Sequence, residues 1–177
     1  MAQPDSTIET ISPFPAEELP RVWLWLQEAG SSLLNDLGPQ TMDEFVDYWL
    51  QRDAITWGVW RDGELGGWVS YEPISATTGN AHCVFRKAFW GSKTVTLPAL
   101  RQVASDLFAT GVVRIGMIVP DTNRAIINLI QRLGGEKEAF WFVVRDEQGR
   151  RLTRQGVPMP LVQYGLYASA LAAETAA

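Results

Sequence analysis

One cysteine and one histidine in 177 residues already close off several chemistries. Cys83 alone cannot form an intramolecular disulfide framework or a cysteine-rich zinc site, so no metal centre is expected. His82 is its direct neighbour. On a strand the two side chains point to opposite faces, which argues against a Cys-His nucleophilic pair and makes Cys83 a small buried residue. Positive charge is also in deficit: 15 Lys and Arg against 20 Asp and Glu leave a net charge of -5. A nucleic-acid surface needs a concentrated basic face, so no nucleic-acid partner is expected. No apolar run approaches membrane-spanning length, and the N-terminal MAQPDSTIE has neither a basic region nor an apolar core of the secretory kind. Nothing asks for an oxidising compartment. These absences predict a cytoplasmic protein with no membrane partner. There are no internal repeats, and the only biased segment is the alanine-rich end.

What is present is enough for one full core: 46% of the residues are hydrophobic. A single domain over 1–168 is expected, with 169–177 as an alanine-rich tail, either a short helix or a frayed end. Thr7 to Ile11 alternates as an edge strand does and is ended by Ser12-Pro13 and Pro15. Pro15 with Glu17-Glu18 suits a helix start, and Leu19, Val22, Trp23 and Leu26 recur at helical spacing. Pro20 is tolerable only in that first turn. Gly30 through Gly38 reads as a connection. Thr41 and Glu44 then have the spacing of a capping box, with Phe45 and Trp49 behind them. Trp23, Trp25, Tyr48 and Trp49 read first as core packing.

Ile55 to Arg61 and Glu64 to Tyr71, joined by Asp62-Gly63, carry the strongest hairpin signal of the chain. Gly66-Gly67 in the second strand predicts a bulge or a close backbone approach. Ser75 to Asn80 reads as a polar turn, Ala81 to Phe89 as a strand, and Leu97, Leu100, Val103, Ala104, Leu107 and Phe108 as one helical face stopped by Gly111. Pro98 favours a helix start with Thr96 as cap and Leu97 as first residue. Val112 to Val119 is a nearly continuous apolar run, expected to be buried on both faces and to leave its ladder at Pro120. Ala139 to Arg145 and Pro160 to Tyr167 read as a closing pair of strands.

Between these elements lies Phe89-Trp90-Gly91-Ser92-Lys93-Thr94, with Arg86 and Lys87 before it. A strand-to-helix loop leaves backbone N–H groups unpaired at the helix start, and those amides with the helix dipole attract anions. A phosphate-bearing ligand suits it, as does an ordinary turn with solvated basic residues. The paired glycines and Gly-Lys-Ser/Thr order of a P-loop are missing, which disfavours an ATP-phosphate site.

The order of elements, with WGSKT at the loop and Val119-Pro120-Asp121-Thr122-Asn123 leading through Ile127, Leu129, Ile130 and Leu133 to Gly134, resembles the GNAT superfamily of acyl-CoA-dependent N-acetyltransferases over roughly Ile8 to Tyr167. The chain departs from that pattern at Lys93 and Val95, where the family's loop is usually small, and at Ile126 and Gly135. The resemblance implies an α/β (α+β) fold. Its mixed, mostly antiparallel sheet would have about six or seven strands and a splayed central parallel pair, flanked by about four helices. It implies acetyl-CoA as cosubstrate, the backbone of Cys83, Val84 and Phe85 facing the pantetheine arm, Trp90, Gly91, Ser92, Lys93 and Thr94 at the pyrophosphate, and Asn123 near the arm, although Asn123 also reads as a plain helix cap.

The implied chemistry is transfer of an acetyl group to a primary amine of a small molecule, peptide or protein by direct attack. It needs a base for the amine, an oxyanion donor and an acid for the leaving thiolate. Glu72 and His82 are the candidate bases. Tyr164 is the candidate acid; Tyr167, three positions on, falls on the other strand face. A strand amide near Val84 or Phe85 would meet the oxyanion. The loop departures motivate an alternative, a catalytically lapsed GNAT-like protein that binds acyl-CoA or serves a structural or interaction role, as in a phage-encoded assembly. Closing strands and tryptophan-rich surfaces also leave a homodimer open.

Overall fold

The computed structural model describes residues 8–28, 38–90, 94–142, 149, 153–154 and 156–175. The strands are β1 (Ile8–Ile11), β2 (Ile55–Arg61), β3 (Glu64–Pro73), β4 (Thr78–Phe85), β5 (Arg114–Pro120), β6 (Glu136–Trp141), β7 (Thr153–Arg154), β8 (Val157–Pro158) and β9 (Leu161–Tyr167). The helices are α1 (Leu19–Glu28), preceded by a 3-10 turn at Ala16–Glu18, α2 (Met42–Leu50), α3 (Thr96–Ala109), α4 (Arg124–Arg132) and α5 (Ala168–Thr175). Seven strands form one sheet in the order β1-β2-β3-β4-β5-β9-β6, with β7 and β8 as a separate pair. Every neighbour in the sheet is antiparallel except β4 and β5. The expected mixed sheet with one parallel pair is what forms, with five α-helices among the described residues where about four were anticipated.

Local signals explain most element ends. The β2–β3 hairpin turns at Asp62 and Gly63 with φ of 53° and 80°, the left-handed conformation that an Asp-Gly turn supplies. Val59 pairs with Gly67 and Trp60 with Leu65, so Gly66 is the extra residue of a bulge. The same glycine is also a close approach, since a Cβ there would lie 2.3 Å from the Phe89 ring. At α2 both halves of the capping box form: Glu44 N donates to Thr41 Oγ1 at 3.2 Å, and Thr41 N donates to Glu44 Oε2 at 3.2 Å. Such caps contribute on the order of 1 kcal/mol.

Several boundaries differ from the sequence reading, β6 starting at Glu136 rather than Ala139 and β3 ending at Pro73 rather than Tyr71. β4 begins at Thr78, inside the stretch read as a turn, because Gly79 and Asn80 continue the ladder opposite Pro73 and Glu72. It ends at Phe85 rather than Phe89, where Phe89 N and Trp90 N turn back to donate to Arg86 O. α3 starts at Thr96 with Val95 as its cap residue, and the Thr96 hydroxyl donates to Phe89 O instead of capping the helix. Pro98 is then the third helical residue, whose missing N–H costs no intrahelical bond. β5 starts at Arg114 rather than Val112 and is not buried on both faces throughout, since Ile118 is 43% exposed. Of the connection read from Gly30 to Gly38 all but Gly38, and of the closing strand the end 143–145, lie outside the described residues.

Alternation along β3 and β4 divides the core. Leu65, Trp68 and Val84 pack under Val22, Trp23 and Phe45 of α1 and α2. Val69, Tyr71 and Phe85 face the other way, against Val103 and Leu107 of α3. A third cluster joins Ile127 and Ile130 of α4 to Val162 and Tyr164 of β9. The alanine-rich end is helical, and Ala170 and Leu171 rest on the α3 side of the core. No helix among the described residues is long and apolar enough to cross a membrane.

Candidate active site

The parallel ladder between β4 and β5 is short. Thr78, Gly79 and Asn80 pair with Arg114, Ile115 and Gly116, and there the pairing stops. From Ala81 to Phe85 the β4 chain pairs only with β3, and from Met117 to Pro120 the β5 chain pairs only with β9. The parting therefore begins at Met117, three residues before Pro120, which was expected to cause it; Pro120 still pairs with Leu161. A cavity of about 760 Å³ occupies the gap, bounded by both parted strands, by α3 and α4, and by Trp25, Phe45, Tyr48 and Trp49 of α1 and α2. Its wall presents strand backbone that one neighbour has left unbonded, the feature a ligand with amide groups requires.

On the cofactor side, Cys83, Val84 and Phe85 all line the cavity, as do Trp90 and Lys87. Gly91, Ser92 and Lys93 lie outside the described residues, and Thr94 is exposed just before α3. Arg86 is not a loose cation for the loop. Its guanidinium pairs with Glu64 and its backbone N–H donates to Gly66 O at 3.0 Å, which ties the loop entrance to the β3 bulge. Asn123 serves as the cap of α4, with Oδ1 accepting from Ile126 N at 3.3 Å, and it also lines the cavity. Burial pushes the Cys83 thiol up to about 12, so it is no nucleophile near neutral pH.

His82 also lines the cavity, and Glu72, which does not, is brought to it across β3 and β4. His82 Nε2 lies 3.3 Å from Glu72 Oε2, and Arg52 Nη1 lies 2.8 Å from Glu72 Oε1. The hydrogen bond from His82, with further help from His82 and Arg52 charge, lowers the Glu72 pKa from its ordinary value despite partial burial. The His82 ring sits edge-on to Trp49 at 5.5 Å between centroids, and the Arg52 guanidinium stacks 4.0 Å over the Tyr48 ring. His82 and Ser70 line the cavity, and the Ser70 hydroxyl is buried without a hydrogen-bond partner. Sequence reasoning missed Arg52 altogether and favoured core packing for Tyr48 and Trp49 over an acceptor-side role. The available signal was the four-residue spacing of Tyr48 and Arg52, which stacks them on one side of the helix end.

Tyr164 is a correction. It is 5% exposed, packed with Ile127, Ile130 and Val162 behind the wall, and is not among the residues that line the cavity. Tyr167 is no substitute, since its hydroxyl donates to Glu138 Oε1 at 2.7 Å. β9 does reach the cavity through Leu166, two residues on and on the same face, but the Tyr164 side chain packs beside α4 instead. Tyr48 is the tyrosine on the cavity wall, and burial raises its pKa, which keeps the phenol protonated. No cluster of His, Cys, Asp and Glu suited to a metal ion occurs among the described residues.

Solved structures share this fold. RimJ of Mycobacterium smegmatis, solved in complex with CoA-disulfide, matches with a TM-score of 0.72 and 15% identity over 96% of this chain and 88% of that one. The acetyltransferase of GNAT family from Streptococcus pneumoniae matches with a TM-score of 0.63 and 15% identity, covering 90% of this chain and 99% of the other. This chain has the GNAT fold. yncA from Salmonella typhimurium, solved with its cofactor acetyl-CoA, has the same GNAT architecture at a TM-score of 0.65 and 16% identity over 93% and 94% of the two chains. No family model matches the sequence, and none of the curated proteins matches it closely.

Proposed function

We propose that this GNAT-fold protein transfers an acetyl group from acetyl-CoA to a primary amine by direct attack, with His82 as the general base. The observation that carries this reading is the gap between β4 and β5 with His82, paired to Glu72 behind it, on its wall. The CoA-disulfide in RimJ and the acetyl-CoA in yncA support the cosubstrate. Of the two candidate bases, Glu72 is already held as an anion by His82 and Arg52, and a carboxylate with a lowered pKa is a weak proton acceptor. Its role is then orientation. With Nε2–H donating to Glu72, the lone pair of His82 Nδ1 takes the proton as the amine nitrogen bonds to the thioester carbon. A β4 amide at Val84 or Phe85 meets the oxyanion, and the CoA thiolate leaves as the carbonyl reforms. Tyr48 replaces Tyr164 as the candidate donor of the thiolate's proton.

Binding is tested by calorimetric titration of acetyl-CoA and CoA into the protein and into Ala125→Trp, which adds bulk at an exposed, cavity-lining position in the first turn of α4. Saturable binding that Ala125→Trp abolishes is the expected result, and its absence in the unsubstituted protein would sink the proposal. The lapsed-enzyme reading is favoured by one observation, that Tyr164 is withdrawn from the cavity. CoA binding with no thiol release across a broad amine panel would favour it over catalysis.

A further inference from the structure

We infer that the acceptor is a monoamine with a flat apolar body, seated against the α1–α2 wall, and not a polycation; this rests on the acetyltransferase reading above. The wall is aromatic and mutually braced. Trp49 meets Trp68 edge-on at 4.7 Å and Tyr48 at 5.3 Å, and Phe45 stands 6.4 Å from both Trp49 and Trp68. Phe45 and Trp68 are buried, whereas Tyr48 is 39% exposed and Trp49 is half-buried, so these two carry the accessible surface. A ring or branched aliphatic body laid on Trp49 lies beside His82, whose ring is 5.5 Å away, and that brings an amine on a short chain within reach of the imidazole.

The charges of the site point the same way. Two features that would attract a cation are already engaged by Arg52: the Glu72 carboxylate, at 2.8 Å, and the face of the Tyr48 ring, at 4.0 Å. Among the described residues that line the cavity, the remaining charged side chains besides His82 are Glu28 and Lys87, one of each sign. A polyamine or polyamino sugar needs several uncommitted carboxylates to offset the desolvation of its ammonium groups. A single ammonium with an apolar body needs one at most.

The test is calorimetric titration of phenethylamine and of spermidine into the full chain, with and without saturating CoA. Phenethylamine should bind at least tenfold more tightly than spermidine. Trp49→Ala should weaken phenethylamine at least tenfold, and Trp49→Phe should restore it to within threefold. Arg52→Gln, by freeing Glu72, should tighten spermidine several-fold, a gain that misfolding cannot produce. Spermidine binding as well as phenethylamine, or no gain in Arg52→Gln, overturns the inference. CoA binding with a spermidine preference overturns it while leaving the acetyltransferase reading intact; phenethylamine preference without CoA binding supports the amine pocket and removes the acetyltransferase reading.

Discussion

Glu72 and Glu138 sit on different parts of one sheet, and each is held by an arginine and by a ring that hydrogen-bonds to it. Glu72 has Arg52 and His82; Glu138 has Arg114, with Nε at 2.7 Å, and the Tyr167 hydroxyl at 2.7 Å. Both carboxyl pKa values are lowered, chiefly by the hydrogen bond to His82 in one case and to Arg114 in the other. The resemblance ends at the ring. An imidazole has a second ring nitrogen that can accept a proton while the first faces the carboxylate, whereas the Tyr167 phenol is pushed up, first by its bond to Glu138, and stays protonated. The placement differs as well. His82 lines the cavity, while Glu138 lies at a register irregularity of β6 that lays its carboxylate over Gly165, where a Cβ would come within 2.0 Å of Oε1. The same electrostatic pattern thus borders the cavity through His82 where the sheet has parted and forms a cross-strand tie where it has not.

The largest effect separates the two clusters by activity. His82→Ala should lower the rate of acetyl transfer by about a hundredfold to ten-thousandfold, the range of a lost general base, with CoA affinity little changed. Glu138→Gln should leave the rate within about threefold, since it touches no part of the cavity. Thiol release at saturating acetyl-CoA reads both. A rate for His82→Ala within threefold of the parent would show that the cavity pair is only another tie.

The parts legible in the sequence are those whose cause is local. Asp62-Gly63 carries its own turn geometry, Thr41 and Glu44 satisfy each other, and Gly66 announces the bulge because no side chain fits against Phe89. Thr78-Gly79-Asn80 misled because its composition is that of a turn, while its conformation is decided by partners far along the chain, β3 on one side and β5 on the other. Arg52 was illegible for the same reason, since its meaning depends on a carboxylate twenty residues away that only the sheet brings near. Glu72 and His82 were legible as types of residue, but their pairing followed from β3–β4 register, with Ser70 opposite His82. For Tyr164, alternation gives the face, which it shares with the cavity-lining Leu166, but not how far along β9 the cavity extends.

A smaller effect concerns stability. Glu138→Gln should cost about 1 kcal/mol at neutral pH, the scale of a well-formed, partly shielded ion pair with an added hydroxyl bond. The sign with pH follows from the lowered pKa. The stabilisation is complete above the unfolded carboxyl value, ordinarily 4.5, and disappears as pH falls through the lower folded value. Urea melts of the parent and Glu138→Gln should therefore differ at pH 7 and converge in strong acid. A gap that persists there would mean that packing of Glu138 over Gly165, and not its charge, holds the strands.

The smallest effect tests the phenols. Tyr164→Phe removes a hydroxyl from a side chain packed among Ile127, Ile130 and Val162, away from the cavity lining, so turnover should stay within about twofold. The useful measurement is turnover together with CoA affinity, because loss of packing lowers both while loss of an acid lowers turnover alone. A drop beyond tenfold at unchanged CoA affinity would return Tyr164 to the role of proton donor and displace Tyr48. It would also mean that β9 supplies a reacting group at Tyr164 as well as the wall at Leu166, and the contrast between Glu72 and Glu138 would then no longer follow the line where the sheet parts.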